Sequence, residues 1–135
     1  MPSRRVRDVM TPDPWVVAPD DPVGDAWATM KNHGFRHLPV VDGGRVVGIL
    51  STSDVGRYVA QVPELMVRRV ADFMTPNPTT IAPDLPIEAA AAQMALRKFN
   101  CLPVVEKGQL VGIVTTFDLL DALVQTIAPP STRIP

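Results

Sequence analysis

The chain carries the same pattern of apolar and polar positions twice. Residues 4–59 and 68–123 align without a gap at an offset of 64 positions, and about 26 of the 56 aligned pairs are identical. A repeat of this size is a structural unit that cannot bury its apolar face alone. The duplication therefore predicts one pseudo-symmetric body, in which the repeats cover each other's apolar faces and leave a cleft of paired sites between them.

Each repeat contains a helical stripe followed by two β-branched runs. The apolar residues of 23–32 follow the i, i+3, i+4, i+7 spacing of a helix with one buried face. Asp20 or Asp21 is expected to cap this helix. The runs 38–41 and 46–50 are joined by a short segment with two glycines, which is typical of a tight hairpin.

A short strand before the helix and a second helix after the hairpin complete each repeat. The strand is predicted at 15–17, with its copy at 79–81. The closing helix begins at Ser51 or Thr52 and runs to about residue 60, and its copy runs to about residue 126. The order is strand, helix, strand, strand, helix, which predicts an α/β fold of the α+β type with two repeats packed through their sheets.

The repeats divide the chain into four parts. The first repeat covers 4–60 and the second covers 68–126, with a linker at 61–67. The segment 127–135 contains three prolines and is expected to be a flexible C-terminal tail.

Composition and charge narrow the function classes. The 135 residues include 13 basic and 14 acidic side chains, which give a net charge of −1, and 46% are apolar. A nucleic-acid-binding protein normally has a marked basic excess, so no nucleic-acid partner is expected. No apolar run approaches the ~18–20 residues of a membrane span, and the single cysteine allows no internal disulfide. The expectation is a cytoplasmic protein without a membrane partner.

The candidate chemistry lies where a predicted strand meets the closing helix. The sequence Ser-Thr-Ser-Asp at 51–54 recurs as Thr-Thr-Phe-Asp at 115–118. One interpretation is a helix cap, in which the hydroxyl and the acid bond the first free amides. The other is a ligand site, because a helix N-terminus attracts phosphate and an aspartate can bond a ribose diol. The two are compatible, since the hydroxyl can cap the empty helix and contact the ligand in the bound state.

Three segments together resemble the cystathionine-β-synthase (CBS) domain. They are VRDVMTP at 6–12, GFRHLPVVD at 34–42 and VGILSTSD at 47–54, and all three recur in the second half. The resemblance covers about 4–123 and implies a tandem CBS pair. Such a pair binds an adenosine-containing ligand in the cleft between its repeats and usually forms a flat homodimer.

The resemblance also implies which residues form the site. Asp54 and Asp118 match the family's ribose-binding aspartates, and Ser51 and Thr115 match its hydroxyl contacts near ribose and phosphate. The adenine pocket matches segments before the first helix and before the central proline of each repeat, and much of its recognition is by main chain. The full set of implied ligand-binding residues is Val16, Val17, Arg36, His37, Leu38, Pro39, Ser51, Ser53, Asp54, Thr80, Ile81, Asn100, Cys101, Leu102, Pro103, Thr115, Phe117 and Asp118.

The two sites are predicted to differ in charge. Arg36 and His37 occupy positions where the second repeat has Asn100 and Cys101. A guanidinium and an imidazole near a phosphate favour a charged ligand, with pH dependence near neutrality. The alternative is that Arg36 is solvated and His37 packs on its strand. Cys101 flanks an apolar strand and is expected to be a buried, inert thiol rather than a redox sensor.

Further candidates are the duplicated basic pairs and one aromatic residue. Arg4-Arg5 and Arg68-Arg69 are possible phosphate contacts for a di- or triphosphate, or else surface charges that aid solubility. Trp15 is expected to cover the hydrophobic core rather than to stack on a base.

The function predicted from these patterns is ligand sensing. AMP, ADP and ATP are the first candidate ligands, followed by S-adenosylmethionine and NAD, and no further cofactor is expected. Binding would shift conformation or self-association and so act on an unidentified partner protein. An enzyme is not expected, because His33 and His37 supply neither a nucleophile–base pair nor a complete metal site. The alternative is a structural dimerisation or scaffold module with empty or vestigial pockets.

Overall fold

The chain folds into two compact units. The computed structural model describes residues 4–59, 61 and 64–127. The first-repeat unit comprises Pro14–Thr79 and Lys107–Leu110. The second-repeat unit comprises the described residues of Met1–Asp13, Thr80–Glu106 and Val111–Pro135. The leading segment of each sequence repeat is therefore grouped with the body of the other repeat, whereas the predicted boundaries follow sequence similarity and stay a prediction.

Helices and strands succeed one another in the same order in both repeats. In chain order the elements are α1 (Val6–Val9), β1 (Thr11–Pro12), α2 (Val23–His33), β2 (His37–Asp42), β3 (Arg45–Ser51), α3 (Thr52–Gly56), 3-10 helices at Leu65–Val67 and Val70–Asp72, β4 (Thr75–Pro76), α4 (Ile87–Arg97), β5 (Cys101–Glu106), β6 (Gln109–Thr115) and α5 (Thr116–Ile127). The predicted helix, hairpin and closing helix of each repeat are confirmed, and the fold is mixed α/β as expected.

Each hairpin lies within a three-stranded sheet. One sheet has the order β2-β3-β4 and the other β1-β6-β5. The turn between β2 and β3 uses Gly43 and Gly44 with φ of 59° and 84°, a left-handed conformation that glycine adopts without steric cost. The antiparallel register pairs His37 with Ser51. The hairpin thus sets the first residue of β2 beside the residue from which α3 begins.

The strands predicted at 15–17 and 79–81 are wrong in extent. Only Val17 and Ile81 form bridges, each parallel to a single residue of the hairpin. Prolines flank both segments and lack the N–H that a longer ladder needs. Two-residue strands that were not predicted, β1 and β4, pair with β6 and β3 instead.

Helix α2 begins differently from the prediction. Its N-cap residue is Pro22, and Asp21 instead accepts a hydrogen bond from a backbone N–H three residues earlier at 2.9 Å. The first helical N–H, that of Val23, donates to the carbonyl oxygen of Arg68 at 2.7 Å. A main-chain oxygen from the leading segment of the second repeat therefore satisfies an amide that the sequence assigned to an aspartate cap.

The second-repeat unit has the corresponding arrangement. Helix α4 begins after Pro86 without a side-chain cap, and the N–H of Ile87 donates to the carbonyl oxygen of Arg4 at 3.0 Å. Each leading segment is thus held by main-chain hydrogen bonds to the first helix of the other repeat.

Apolar residues of the linker and of the leading segments lie inside the cores. Leu65 and Val70 are fully buried in one cluster with residues of α2, β2 and β3. Val6 is fully buried in the other cluster with residues of α4, β5 and β6. Leu65 falls within the segment predicted as a linker, so this part of the chain contributes to a core.

The closing helices differ in length. Helix α3 ends at Gly56, short of the predicted end, whereas α5 continues to Ile127, one residue beyond its predicted end. Glycine is a poor helix former, and the matching position of α5 is Leu120. The predicted tail lies outside the described residues from position 128 onwards.

Candidate functional site

In the first-repeat unit, the site residues meet at the junction of β3 and α3. The hydroxyl oxygen of Ser51 accepts from the N–H of Asp54 at 3.1 Å, which caps the helix. The N–H of Thr52 donates to the carbonyl oxygen of Arg36 at 2.9 Å, so the end of the loop before β2 is fixed against the helix start. The structure therefore brings the main chain of Arg36 and His37 beside Ser51 and the start of α3, and the ligand-binding role of these residues stays a prediction.

In the second-repeat unit, the corresponding junction forms a reciprocal cap. Thr115 Oγ1 accepts from the N–H of Asp118 at 3.3 Å, and Asp118 Oδ2 accepts from the N–H of Thr115 at 2.9 Å. The N–H of Thr116 donates to the carbonyl oxygen of Asn100 at 3.0 Å. The capping interpretation is thus confirmed for the hydroxyl and the acid of 115–118 and for the hydroxyl of 51–54, where the Asp54 carboxylate bonds Arg57 instead. The ligand interpretation stays a prediction.

Several of the implied ligand-binding residues differ in exposure. Leu38, Pro39, Leu102 and Pro103 are buried, so their side chains belong to the interior and only their main chain could meet a ligand. The remaining members are more open, with Val16 at 46% and Phe117 at 74% exposed, Thr80 and Ser53 exposed, and Val17 half-buried. Ile81 is buried at 6% exposure.

Trp15 does not cover the core as predicted. It is 55% exposed, and its ring centroid lies 4.6 Å from that of His33 and 6.3 Å from that of Phe35. His33 is the last residue of α2, and Phe35 follows Gly34, whose backbone is left-handed. The rings of His33 and Phe35 therefore lie next to the ring of Trp15.

The pKa of His37, a candidate residue of the first-repeat site, is lower than its usual value. Burial lowers the pKa of His37, the charge of Asp54 opposes this shift, and the charge of Arg36 adds to it. The neutral imidazole is therefore favoured at pH 7, and His37 supplies no positive charge to the ligand-free site. The basic character predicted for this junction rests on arginine instead.

Cys101 is expected to react slowly with thiol reagents in the folded protein. Burial, with a smaller contribution from the charge of Asp118, raises the pKa of the thiol to about 12. The thiolate fraction at pH 8 is then on the order of 10⁻⁴, against about a quarter for an ordinary thiol. Labelling by a chromogenic disulfide should be more than about tenfold slower before denaturation than after it. Equal rates would contradict the inert thiol.

The predicted basic pairs are engaged within their own units. Arg4 donates to the carbonyl oxygen of Ala122 and, at 2.7 Å, to Thr126 Oγ1, so it holds the C-terminal half of α5. Arg69 pairs with Asp20 at 3.1 Å. Arg5 donates to a backbone carbonyl at 2.7 Å, and Arg68 is exposed. A role in phosphate binding would require Arg4, Arg5 and Arg69 to leave these partners.

One charged residue at the first site was not predicted. Arg57 Nη2 donates to Asp54 Oδ1 at 2.9 Å. The signal was present in the sequence, because residues three positions apart lie on the same side of a helix. The second repeat has Asp121 at that position, so the pair is not a feature that the two repeats share.

The described part of the chain contains neither a membrane-spanning helix nor a metal-binding cluster. Among residues 4–59, 61 and 64–127, none of the helices has the length and apolar character needed to cross a bilayer. Within the same residues, no cluster of at least three His, Cys, Asp or Glu side chains could hold a metal ion.

Comparison with known families identifies the class of the protein. The family model for the CBS domain matches residues 6–61 and again residues 70–125. The chain therefore belongs to the CBS-domain family and contains a tandem pair of these domains, as the sequence resemblance indicated.

The curated relatives include both enzymes and small proteins. The chain is 40% identical over 115 residues to inosine-5′-monophosphate dehydrogenase of Korarchaeum cryptofilum (strain OPF8), which covers 84% of this chain and 22% of that enzyme. It is 32% identical over 115 residues to the CBS domain-containing protein YhcV of Bacillus subtilis (strain 168), with 84% and 81% covered. The chain spans less than a quarter of the length of the larger relatives that it matches.

Two solved structures with the same fold contain adenosine-type ligands. CBSX2 in complex with AMP matches with a TM-score of 0.81 and 32% identity over 91% of this chain and 98% of that chain. The CBS domain pair of protein MJ0100, in complex with 5′-methylthioadenosine and S-adenosyl-L-methionine, matches with a TM-score of 0.80 and 28% identity over 93% and 99%.

Proposed function

We propose that this protein is a regulatory module that binds an adenosine-containing ligand at the aspartate of each closing helix. The observation that carries the proposal is the matched placement of Asp54 and Asp118, each fixed directly after a hairpin strand. It is supported by family members of the same fold that hold AMP or S-adenosylmethionine. AMP, ADP and ATP are the first candidates, and S-adenosylmethionine and NAD are the next.

Asp118 illustrates the chemistry expected of such a site. A carboxylate has about four acceptor positions. The bond from the N–H of Thr115 to Oδ2 takes one of them, so the side chain can hold the helix cap and still receive ribose hydroxyls. Helix α5 is 12 residues long, and the partial positive charge at its N-terminus favours a phosphate or carboxylate nearby.

We assign adenine recognition to the main chain just before the first helix of each repeat. Val17 uses its N–H and its carbonyl oxygen on β2, at 3.1 Å and 2.8 Å, and Ile81 makes the matching pair of bonds. Successive residues of an extended chain point their backbone groups in opposite directions, so those of Val16 and Thr80 point away from these partners. They are therefore the groups proposed to meet the adenine edge.

The proposed output is regulatory rather than catalytic. A ligand that binds one conformation more tightly than another shifts the population between them, and that shift can be read by a protein partner or by self-association. A second candidate, a structural dimerisation module with unused pockets, is favoured by α5. There Phe117, Leu120 and Val124 are exposed with helical spacing on one side.

A ligand panel should separate the two candidates. At least one of AMP, ADP, ATP, S-adenosylmethionine and NAD is expected to stabilise the protein by about 2.7 kcal/mol at 100 times its dissociation constant. Thermal unfolding and calorimetry measure this effect, and GMP serves as a control with the charge of AMP but another base. An Asp54→Ala/Asp118→Ala double variant should lose the response. If the whole panel leaves the unfolding curve unchanged, the dimerisation module is the better description.

A further inference from the structure

Arg57 lies beside the aspartate on which the first-repeat site depends. Its guanidinium donates to Asp54 Oδ1 at 2.9 Å, and the two residues lie three positions apart. The side chain of Arg57 is 68% exposed, whereas that of Asp54 is 22% exposed. Arg57 is thus the more solvent-exposed member of the ion pair. Because an exposed ion pair adds little stability, this guanidinium can change partner at low cost.

The matching position of the second-repeat unit carries the opposite charge. Asp121 follows Arg57 by 64 positions, and its Oδ2 accepts from Gln125 Nε2 at 3.0 Å. Asp8, Asp118 and Asp121 line a cleft of about 130 Å³ in this unit. A phosphate group beside Asp118 would therefore face neighbouring carboxylates, and one beside Asp54 would face a guanidinium.

A second substitution reinforces the difference. Arg36 provides the carbonyl oxygen that fixes the start of α3, and its charge reaches His37 beside Asp54. Its counterpart is the neutral Asn100. The first-repeat site therefore has one arginine paired with its aspartate and a second at the residue that bonds the start of α3, where the second-repeat unit has an acid and an amide at the same positions.

We propose that Arg57 selects phosphorylated ligands at the first-repeat site. The inference rests on the proposed function, in which the ribose of the ligand binds Asp54. In the empty site Arg57 pairs with Asp54. When a nucleotide binds, the ribose hydroxyls take the carboxylate and the guanidinium moves to the phosphate of the same ligand, to which it can bond through two N–H groups.

This exchange makes the ion pair a filter. A neutral nucleoside must displace Arg57 from Asp54 and leaves the guanidinium without a new anionic partner. The phosphate of a nucleotide provides that partner. Asp121 gives the second-repeat site the reverse preference, for an uncharged adenosyl ligand or one with a cationic substituent such as a sulfonium.

Calorimetry on single-site proteins tests the filter. In an Asp118→Ala background, which leaves the first-repeat site, Arg57→Ala should weaken ATP binding about tenfold, the lower range for a lost charged hydrogen bond. The affinity for adenosine should stay unchanged or rise, because Asp54 has lost its competitor. Arg57→Lys, which keeps the charge but not the two-pronged geometry, should regain part of the ATP affinity.

A matched control removes the same charge at the other end of the hairpin. Arg45 is exposed and begins β3, six residues before Ser51, which is about 20 Å along a strand. That separation exceeds the Debye length of about 10 Å at 0.1 M salt, so Arg45→Ala should leave ATP and adenosine binding unchanged.

In an Asp54→Ala background, Asp121→Arg should shift the preference between ATP and S-adenosylmethionine towards ATP by about tenfold.

The outcomes separate this inference from the proposed function. Equal weakening of ATP and adenosine by Arg57→Ala would show that Arg57 only supports the site, and the filter would be wrong. Unchanged ATP binding would also overturn it, while in both cases binding itself would stand. If the Asp118→Ala, Asp54→Ala and unsubstituted proteins bind no adenosyl ligand at all, the proposed function fails and the filter fails with it.

Discussion

An Asp118→Ala variant is expected to bind adenosine about a hundredfold more weakly at the second-repeat site, while the first-repeat site keeps its affinity. The reason is the loss of a carboxylate that would accept two ribose hydroxyls. At about 1.5 kcal/mol each, the lower end for a charged acceptor, the two bonds together correspond to roughly a hundredfold. Titration calorimetry should show half the binding stoichiometry of the unsubstituted protein. Asp54→Ala should give the same reduction through the other unit.

The control must separate binding from helix capping. Asp118→Ala also removes the acceptor for the N–H of Thr115, a change that costs about 1 kcal/mol of stability. Asp118→Asn keeps an oxygen that can cap but loses the charge, so its stability should match the parent while its affinity falls about tenfold. If Asp118→Ala weakened both sites equally, the two units would not hold separable sites.

A Leu65→Ala variant should lose about 2–5 kcal/mol of unfolding free energy. Leu65 is fully buried in the core of the first-repeat unit, although it belongs to the segment that the sequence predicted as a linker. Truncation leaves a cavity among well-packed residues of α2 and β2, and the surrounding structure relaxes only in part. Urea unfolding monitored by circular dichroism measures the loss.

Val67 provides the matched control within the same 3-10 helix. It is 78% exposed, so Val67→Ala should change the unfolding free energy by no more than about 0.5 kcal/mol. Similar small effects for the two variants would mean that the segment predicted as a linker does not contribute to the core of the first-repeat unit.

The shared residues of the repeats predicted the site framework well. The hydroxyls of Ser51 and Thr115 and the carboxylate of Asp118 form the caps that their spacing indicated, because capping depends on chain positions within one turn. Their role towards a ligand stays a prediction. Arg57 was not predicted, because it lies outside the motifs that the repeats share and its position carries Asp121 in the second copy.

The starts of α2 and α4 show a second limit. Asp20 and Asp21 are of a residue type that often caps helices. The N–H of Val23 nevertheless donates to the carbonyl oxygen of Arg68, and the N–H of Ile87 donates to that of Arg4. Local propensity describes what a segment can do by itself, and a carbonyl group delivered from 45 or more positions away has no signature in the helix that receives it.

The amino-acid order alone determined the duplication, the hairpins, the helices and the family, because each is written in short-range periodicity or in residues repeated 64 positions apart. Tertiary structure alone decided which unit each leading segment joins and that Leu65 is core. Both depend on which apolar surfaces meet, and this is fixed only once the chain has packed.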